Sequence, residues 1–453
     1  MIRPILIVSV LIGASCCSAV AAPEPDVVAG REAYVANCAR CHGDTGKGDG
    51  PDSKRMVPRP RDFTTGVFKF RTTASGTPPT DEDLYRTISY GLAGTRMPGW
   101  EGLSEETRRQ LIAYIKSLST KFSQATPQPL DLGKDPGAHG ADLAKGKKLY
   151  ADLGCAACHG TLGRANGASA KALTDDWGQP IRPANLAHGW ALRGGREPRD
   201  LVARLMTGVD GTPMPSYADS VAHEDLWQLA YYLRSIQESA RWETEVTVAP
   251  AAALPTSPTD PAWDRAPRTD TKLWSNLYAK GAVVPAQIPW AVVQAVATPD
   301  AIAVRIGWDD PTEDRGTPAD RVALVLKPDG VQWEVGSLQS WPLPGAAALD
   351  VTLWSATASE AHYAVATGFE LPEGAGALPA QAQYVDGRWW LMLTRPRTTL
   401  TNITLTPTSS VPLALVIWDG SHGDTGRQRS VSPWLSLTLA APTSTKENTH
   451  ATH

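Results

Sequence analysis

The strongest constraint on this chain is a five-residue pattern, Cys-x-x-Cys-His, that occurs twice. It is found at residues 38–42 (CARCH) and again, 117 residues later, at residues 155–159 (CAACH). Such a pattern attaches a haem group through two thioether bonds and places the adjacent histidine as an iron ligand. The sequence therefore predicts two c-type haems, held by Cys38 and Cys41 and by Cys155 and Cys158, in two repeated small domains.

The cysteine inventory supports this interpretation over a zinc or thiol redox site. Of the six cysteines, four lie in the two patterns and the others are Cys16 and Cys17, near the N-terminus. A zinc site needs further cysteine or histidine ligands at regular spacing, and the sequence does not arrange any. No catalytic nucleophile is predicted among the thiols.

The second iron ligand is predicted from spacing. His42 and His159 supply the first ligand of each iron, and each is followed 55 residues later by a methionine, Met97 or Met214. Most methionines fill hydrophobic cores, but these two lie in proline-flanked loops, which favours ligation. Met56 is an alternative ligand in the first unit, although the second unit has no counterpart.

Apolar residues at three- and four-residue spacing predict helices on both sides of each methionine loop. These helices are expected around 83–88 and 111–118 in the first unit, and around 201–205 and 226–236 in the second. Ser104 is a predicted helix start.

One further methionine and three histidines outside the two motifs are predicted not to bind iron. Met206 belongs to a helical pattern and is expected in the core. His139 lies in a linker, His188 in a glycine-rich loop and His223 at the start of a helix, and all three are predicted to be surface residues.

On these motifs, residues 26–122 and 141–240 resemble class I cytochrome c domains. The resemblance implies that Cys38, Cys41, His42 and Met97 hold one haem, and that the second unit repeats the arrangement. It also implies an exposed haem edge for electron exchange, and a raised reduction potential because the soft thioether favours ferrous iron.

The N-terminus has the features of an export signal. A positive residue, a short apolar run at 5–12 and small residues before Ala22 predict a signal peptide over residues 1–21. A retained anchor and lipidation at Cys16 or Cys17 are less favoured alternatives. We expect a periplasmic or otherwise exported protein without a transmembrane segment after cleavage. The net charge of −4 argues against a nucleic-acid partner.

Beyond residue 243 the pattern changes to short β-rich runs, and this segment holds eleven of the 16 tryptophans. Strands are expected near 292–296, 301–306, 322–326, 389–393, 413–418 and 434–439, which favours an antiparallel β-sandwich with an aromatic core. The predicted multidomain organisation is two all-α domains followed by an all-β sandwich: domain 22–122, linker 123–140, domain 141–240, linker 241–265, sandwich 266–440 and a disordered tail 441–453.

Four short stretches, 307–312, 351–354, 386–389 and 418–421, resemble the haem b-binding domain of ethylbenzene dehydrogenase-type γ subunits. These subunits belong to the type II dimethyl sulfoxide reductase family. In that family the domain accompanies a molybdopterin catalytic subunit and an iron–sulfur subunit, so the resemblance implies redox partners of this kind.

This sequence departs from the γ-subunit pattern at both haem b ligands. The family's methionine and lysine would align near Val335 and Arg429, and neither residue is a useful iron ligand. His362 and His422 are possible substitutes, and Met392 is expected to be a core residue. We therefore expect two haem c and no haem b.

The favoured function is a dihaem cytochrome that passes electrons between a partner oxidoreductase and a respiratory acceptor. One alternative is a haem enzyme, such as a thiosulfate dehydrogenase or peroxidase, which needs a displaceable sixth ligand. Another is a cytochrome tethered to a surface or glycan by exposed tryptophans of a carbohydrate-binding-like sandwich.

Overall fold

The computed structural model of the chain describes residues 26–56, 58–275, 288–328, 347–373, 375–398, 406 and 410–440. The predicted signal peptide, the predicted tail and Val335 lie outside the described residues. Two helical units precede an all-β unit, in the order that the sequence predicts.

Each helical unit pairs its first helix with its last long helix, and a single helical turn carries the cysteine–histidine pattern. The first unit contains α1 Val27–Asn37, α2 Ala39–His42, α3 Asp81–Tyr90, α4 Glu105–Ser117 and α5 Lys121–Gln124. The second contains α6 Leu143–Asp152, α7 Ala156–His159, α8 Pro198–Thr207 and α9 His223–Ser235. The helices predicted around the methionine loops are confirmed, and the Ser104 hydroxyl caps α4. None of the described helices combines the length and apolarity that crossing a bilayer requires.

Glycine lets the paired helices approach closely. A Cβ atom at Gly30 of α1 would lie 2.0 Å from the Gln110 carbonyl oxygen of α4. A Cβ atom at Gly146 of α6 would lie 2.3 Å from the Gln228 carbonyl oxygen of α9. Any larger residue at either position would push the two helices apart. The helix pairs of both units therefore pack in the same way, with a glycine at the closest contact.

A Gly146→Ala substitution tests this packing. At an exposed helical position the change would stabilise the protein by about 1 kcal/mol because alanine is the better helix former. At this crossing the added methyl group would overlap α9, and we expect unfolding to become easier by about 1–3 kcal/mol. Denaturant unfolding followed by circular dichroism would measure the difference. Lys147→Ala, at the exposed neighbouring position, is the control; a gain in stability for Gly146→Ala would contradict the close contact.

The all-β unit contains thirteen strands within the described residues, and all six predicted strands are confirmed. They are β1 Glu245–Pro250, β2 Thr269–Lys272, β3 Trp274–Ser275, β4 Trp290–Ala297, β5 Ala301–Asp309, β6 Arg321–Leu326, β7 Leu349–Ser355, β8 Glu360–Ala366, β9 Gly376–Val385, β10 Arg388–Pro396, β11 Ser410–Trp418, β12 Ser430–Val431 and β13 Leu435–Leu439.

The sheet closes on itself, which corrects the predicted sandwich. Neighbouring strands follow the order β13-β1-β4-β5-β10-β9-β8-β7-β6-β11, and β11 pairs again with β13. The all-β class is confirmed, but the hydrogen-bonded ladder is continuous instead of being split into two sheets. Strand β1 pairs in parallel with both β13 and β4, so the sheet is not wholly antiparallel either.

Strand β1 lies in the segment 241–265 that the sequence predicts as a linker. Val246 and Val248 point into the closed sheet and are fully buried. The segment is short and rich in alanine, proline and threonine, so its strand character depends on the two flanking strands that pair with it.

Residues 123–140, the other predicted linker, pack against both helical units. The Leu130 amide donates to the Thr72 carbonyl at 2.8 Å in the first unit. The indole of Trp227 in the second unit donates to the Leu132 carbonyl at 2.8 Å, and Leu132 is buried. The segment therefore forms a fixed connection.

The aromatic core predicted for the third unit is confirmed. Trp308 stacks on Trp389 with ring centroids 6.0 Å apart, and Trp354 meets Trp389 edge-on at 5.5 Å. The Trp389 indole donates to Asp320 Oδ2 at 2.9 Å, which satisfies its buried N–H. Because these tryptophans are buried, they are not available to stack on sugar rings.

Candidate haem sites

Both motif histidines are oriented by a backbone carbonyl. His42 Nδ1 lies 3.0 Å from the Arg61 carbonyl oxygen, and His159 Nδ1 lies 2.9 Å from that of Ala184. Since a carbonyl can only accept, Nδ1 carries the proton and Nε2 keeps the lone pair that binds a metal. Burial lowers the pKa of both imidazoles, although the carbonyl contact opposes it, and this favours the neutral ligating form. Phe63 stacks on the His42 ring at 4.4 Å.

The methionine loop of the second unit contacts its cysteine pair. The Tyr217 hydroxyl hydrogen-bonds the Cys155 side chain, and Met214 and Cys155 pack against the same hydrophobic cluster. In the first unit, burial raises the pKa of Cys41, and the charges of Arg40 and Arg96 oppose this rise.

The two loops are held by matching hydrogen bonds. The Met97 amide donates to Thr95 Oγ1 at 3.1 Å, and the Met214 amide donates to Thr212 Oγ1 at 3.3 Å. Each methionine carbonyl accepts from the amide five residues earlier, at 3.0 and 3.1 Å. Both methionine side chains are partly buried. The same backbone geometry therefore presents a thioether in each unit.

A glycine ends the helix before each loop because no other residue fits. Gly91 and Gly208 have φ of 67° and 63°. A Cβ atom at Gly91 would lie 2.6 Å from the Met97 carbonyl oxygen, and one at Gly208 would lie 2.8 Å from the backbone of Pro215. These glycines let the helix end approach the methionine loop.

Gly91→Ala should displace the first methionine loop. We expect a loss of the near-infrared sulfur-to-iron absorption of one haem in the haem-loaded protein, because the new methyl group occupies the place of the loop backbone. Gly94→Ala is the matched control: its φ is also 67°, but the nearest described atom to the new methyl is Arg193 Nη2 at 3.7 Å. The control should cost only the backbone strain, about 1 kcal/mol. Equal absorption spectra for the two variants would contradict the loop contact.

The sequence analysis did not identify the buried tyrosine that precedes each motif. The hydroxyls of Tyr34 and Tyr150 donate to the carbonyls of Gly43 and Gly160, at 2.7 and 2.6 Å. Each glycine directly follows the motif histidine, so the tyrosine fixes the end of the motif turn. Burial raises the pKa of both tyrosines. An alignment of the two repeats that allows a one-residue gap would have paired them, since they precede the first motif cysteine by four and five residues.

Comparison with known proteins agrees with this geometry. Residues 25–115 match the family model described as cytochrome C oxidase, cbb3-type, subunit III, and residues 143–237 match the model described as cytochrome c. Both matches fall on the helical units that carry the motifs. The chain contains two cytochrome c-type domains. They are named cytochrome domain 1 and cytochrome domain 2 below.

The relatives are redox proteins. A cbb3-type cytochrome c oxidase subunit CcoP from Azospirillum sp. is 29% identical over 46% of this chain, and the match spans only 61% of that relative. A putative respiratory nitrate reductase heme subunit from Haloferax mediterranei is 24% identical over 43% of this chain and 73% of its own length. A chain of the Kuenenia stuttgartiensis reducing HAO-like protein complex is 42% identical, with 48% of this chain and 99% of that chain covered and a TM-score of 0.45. The chain is similar to each of these redox proteins over less than half of its own length.

Each cytochrome domain contacts the methionine loop of the other. Arg71 of domain 1 is buried and donates to the Thr207 carbonyl at 3.0 Å and to Asp210 Oδ1 at 2.8 Å, at the start of the second loop. Arg193 of domain 2 donates to the Ala93 carbonyl at 3.0 Å in the first loop. The two candidate sites therefore face a shared interface.

Cytochrome domain 2 is also joined to the β unit, and His188 lies at this junction. The predicted surface position of His188 was wrong: it is 3% exposed, with Nε2 2.8 Å from Asp309 Oδ2. Asn185, next to the carbonyl that holds His159, donates to the same oxygen at 2.9 Å. Burial raises the pKa of Asp309, but contacts with His188 and the Arg388 guanidinium bring it well below its usual range.

The prediction that Met206 and Met392 are core residues is confirmed, since both are buried. Of the two positions that align with the haem b ligands, the structure describes Arg429. Arg429 is buried, donates to the Gly426 carbonyl at 2.8 Å and lies over the Phe369 ring at 4.6 Å. Burial and a neighbouring arginine lower the pKa of Arg429 to about 9, which leaves it protonated at neutral pH. The absence of haem b stays a prediction.

Proposed function

We propose that this chain is a periplasmic dihaem cytochrome c that passes electrons between a partner oxidoreductase and a respiratory acceptor. The observation that carries the proposal is the repeated geometry of the two units. In both, the Cys-x-x-Cys-His turn holds a carbonyl-oriented histidine, and the methionine 55 residues later lies in a loop fixed by matching hydrogen bonds.

The donor set fits two covalently bound haems. The cysteines of each turn would form the thioether bonds, and the histidine and methionine would bind the iron from opposite faces: Cys38, Cys41, His42 and Met97 in domain 1, and Cys155, Cys158, His159 and Met214 in domain 2. A bound haem supplies a one-electron ferric–ferrous couple, and a thioether ligand raises its reduction potential.

The protein groups around each site would set its electronic properties. The carbonyls of Arg61 and Ala184 hold the imidazole rings in one tautomer and one orientation. The buried clusters behind α2 and α7 limit water access on the histidine side. Within the described residues the four cysteines are the two attachment pairs, so none of them is left to ligate a catalytic haem.

Contacts between the cytochrome domains support electron transfer within the chain. The Arg71–Asp210 ion pair fixes the second methionine loop against domain 1. The Arg71 side chain of this pair is fully buried. Such a pair holds its geometry because breaking it would leave a buried, uncompensated charge. The two sites would therefore keep a constant separation while electrons pass between them.

The partner is proposed to be an oxidoreductase, and a molybdopterin enzyme in particular. The CcoP, nitrate reductase and HAO-like relatives bear the names of redox complexes or their subunits. The γ-subunit resemblance of residues 307–312 and 418–421 favours molybdopterin catalytic and iron–sulfur subunits as neighbours of the β unit. In this proposal the β unit serves for docking and has lost the haem b of that family.

Replacing a loop methionine should remove one sulfur ligand. We expect Met97→Ala and Met214→Ala each to abolish about half of the near-infrared sulfur-to-iron absorption and to lower the potential of the affected haem, since each iron loses its thioether. Absorption spectra and redox titration of the haem-loaded protein measure both effects. Met56→Ala is the control and should change neither. Full absorption in both loop variants would contradict the ligand assignment.

The haem count tests the cofactor content directly. A pyridine haemochrome spectrum, normalised to protein, should show two c-type haems per chain and no b-type signal, because Arg429 stays protonated and a guanidinium is a poor iron ligand. Extraction with acidified acetone should leave all haem on the protein. A non-covalent haem b would contradict the proposal that the β unit has lost its cofactor.

A further inference from the structure

Three carboxylates converge at one end of the β unit. Asp310 follows β5, Asp314 lies in the next loop, and Asp419 follows β11. One oxygen atom from each of the three lies within 4.8 Å of the others. Asp310 and Asp419 are fully buried, and Asp314 is partly buried. Three negative groups this close in a buried place repel one another unless something compensates them.

In each of the two buried carboxylates, one oxygen accepts hydrogen bonds and the other accepts none within the described residues. Asp310 Oδ1 accepts from the Thr312 amide at 3.0 Å, and Asp419 Oδ1 accepts from the His422 amide at 3.0 Å. Within the described residues, Asp310 Oδ2 and Asp419 Oδ2 have no hydrogen-bond partner. Arg182 Nη1 lies 3.7 Å from Asp419 Oδ2, too far for a hydrogen bond.

Buried, unpartnered carboxylate oxygens are costly, and native proteins satisfy them with a ligand, a proton or water. We propose that Asp310, Asp314 and Asp419 form a calcium-binding site in the β unit. The donor set consists of oxygen atoms alone, which hard divalent cations prefer. Waters or neighbouring carbonyls would complete the coordination.

The number of carboxylates favours calcium over magnesium. Mg²⁺ dehydrates reluctantly and is usually held by one or two carboxylates and several waters, whereas Ca²⁺ takes about six to eight oxygen ligands and accepts several carboxylates. Three carboxylates that each offer an oxygen within 4.8 Å of the others fit the calcium pattern.

The electrostatics of the cluster agree with a bound cation. Burial, followed by the charges of Asp419 and Asp320, raises the pKa of Asp310 well above its usual range. Burial also raises the pKa of Asp320 to about 6. The mutual repulsion of these buried carboxylates is what a bound cation would relieve.

The site lies where the β unit meets cytochrome domain 2. Arg182 of that domain donates to Ser421 Oγ at 3.2 Å and faces Asp419. Asp310 directly follows Asp309, which contacts His188. A bound ion would therefore stiffen the loops that hold cytochrome domain 2 in place.

Calorimetric titration of the full, haem-loaded protein with Ca²⁺ after treatment with a chelator tests the site. We expect one binding event per chain, a higher melting temperature with Ca²⁺ than with chelator, and weaker binding of Mg²⁺. Asp419→Asn should weaken Ca²⁺ binding about tenfold or more, since it removes one charged ligand. Asp314→Asn, at a partly exposed position that folding depends on less, should have a similar effect.

Glu313→Gln is the matched control. It removes the same charge at the exposed neighbouring position and should leave Ca²⁺ affinity within about twofold of the original protein. Absence of Ca²⁺ binding by the chelator-treated protein would overturn the proposal. Equal weakening by Glu313→Gln and Asp419→Asn, or Mg²⁺ binding as tight as Ca²⁺, would also overturn it.

Discussion

The hydrogen bond from each motif histidine to a backbone carbonyl is the interaction on which both candidate sites depend. It fixes the imidazole tautomer and leaves Nε2 free for a metal. The carbonyl is 19 residues from His42 but 25 residues from His159. The intervening loop differs in length, yet the contact is present in both units, which indicates that the local chemistry of the site requires it.

Interfaces then connect the two sites to each other and to the β unit. The loop that orients His159 continues into Asn185 and His188, and both contact Asp309 of the closed sheet. On the other side, Arg71 and Arg193 join each cytochrome domain to the opposite methionine loop. The β unit is thus in direct contact with the surroundings of the second site, and a partner docked on it would act close to that haem.

The structure also bears on the alternative functions. A catalytic haem needs a sixth position that substrate can reach, whereas Met97 and Met214 both lie in loops held by matching hydrogen bonds. A glycan-binding surface needs exposed tryptophans: Trp308, Trp354 and Trp389 form the interior of the closed sheet, but Trp274 is 47% exposed. The fixed methionine loops favour electron transfer, with the β unit proposed as a docking element.

The sequence alone was enough for the features encoded over short distances. The two Cys-x-x-Cys-His turns, the 55-residue spacing to each methionine, the helices flanking the loops and the strands of the β unit follow from local spacing and periodicity. Closure of the sheet by β1, the burial of His188 and the convergence of Asp310 with Asp419 were decided only by the tertiary structure. Each of these features depends on contacts between residues about 45 to 190 positions apart in the sequence. No local pattern of side chains predicts which distant segments will meet.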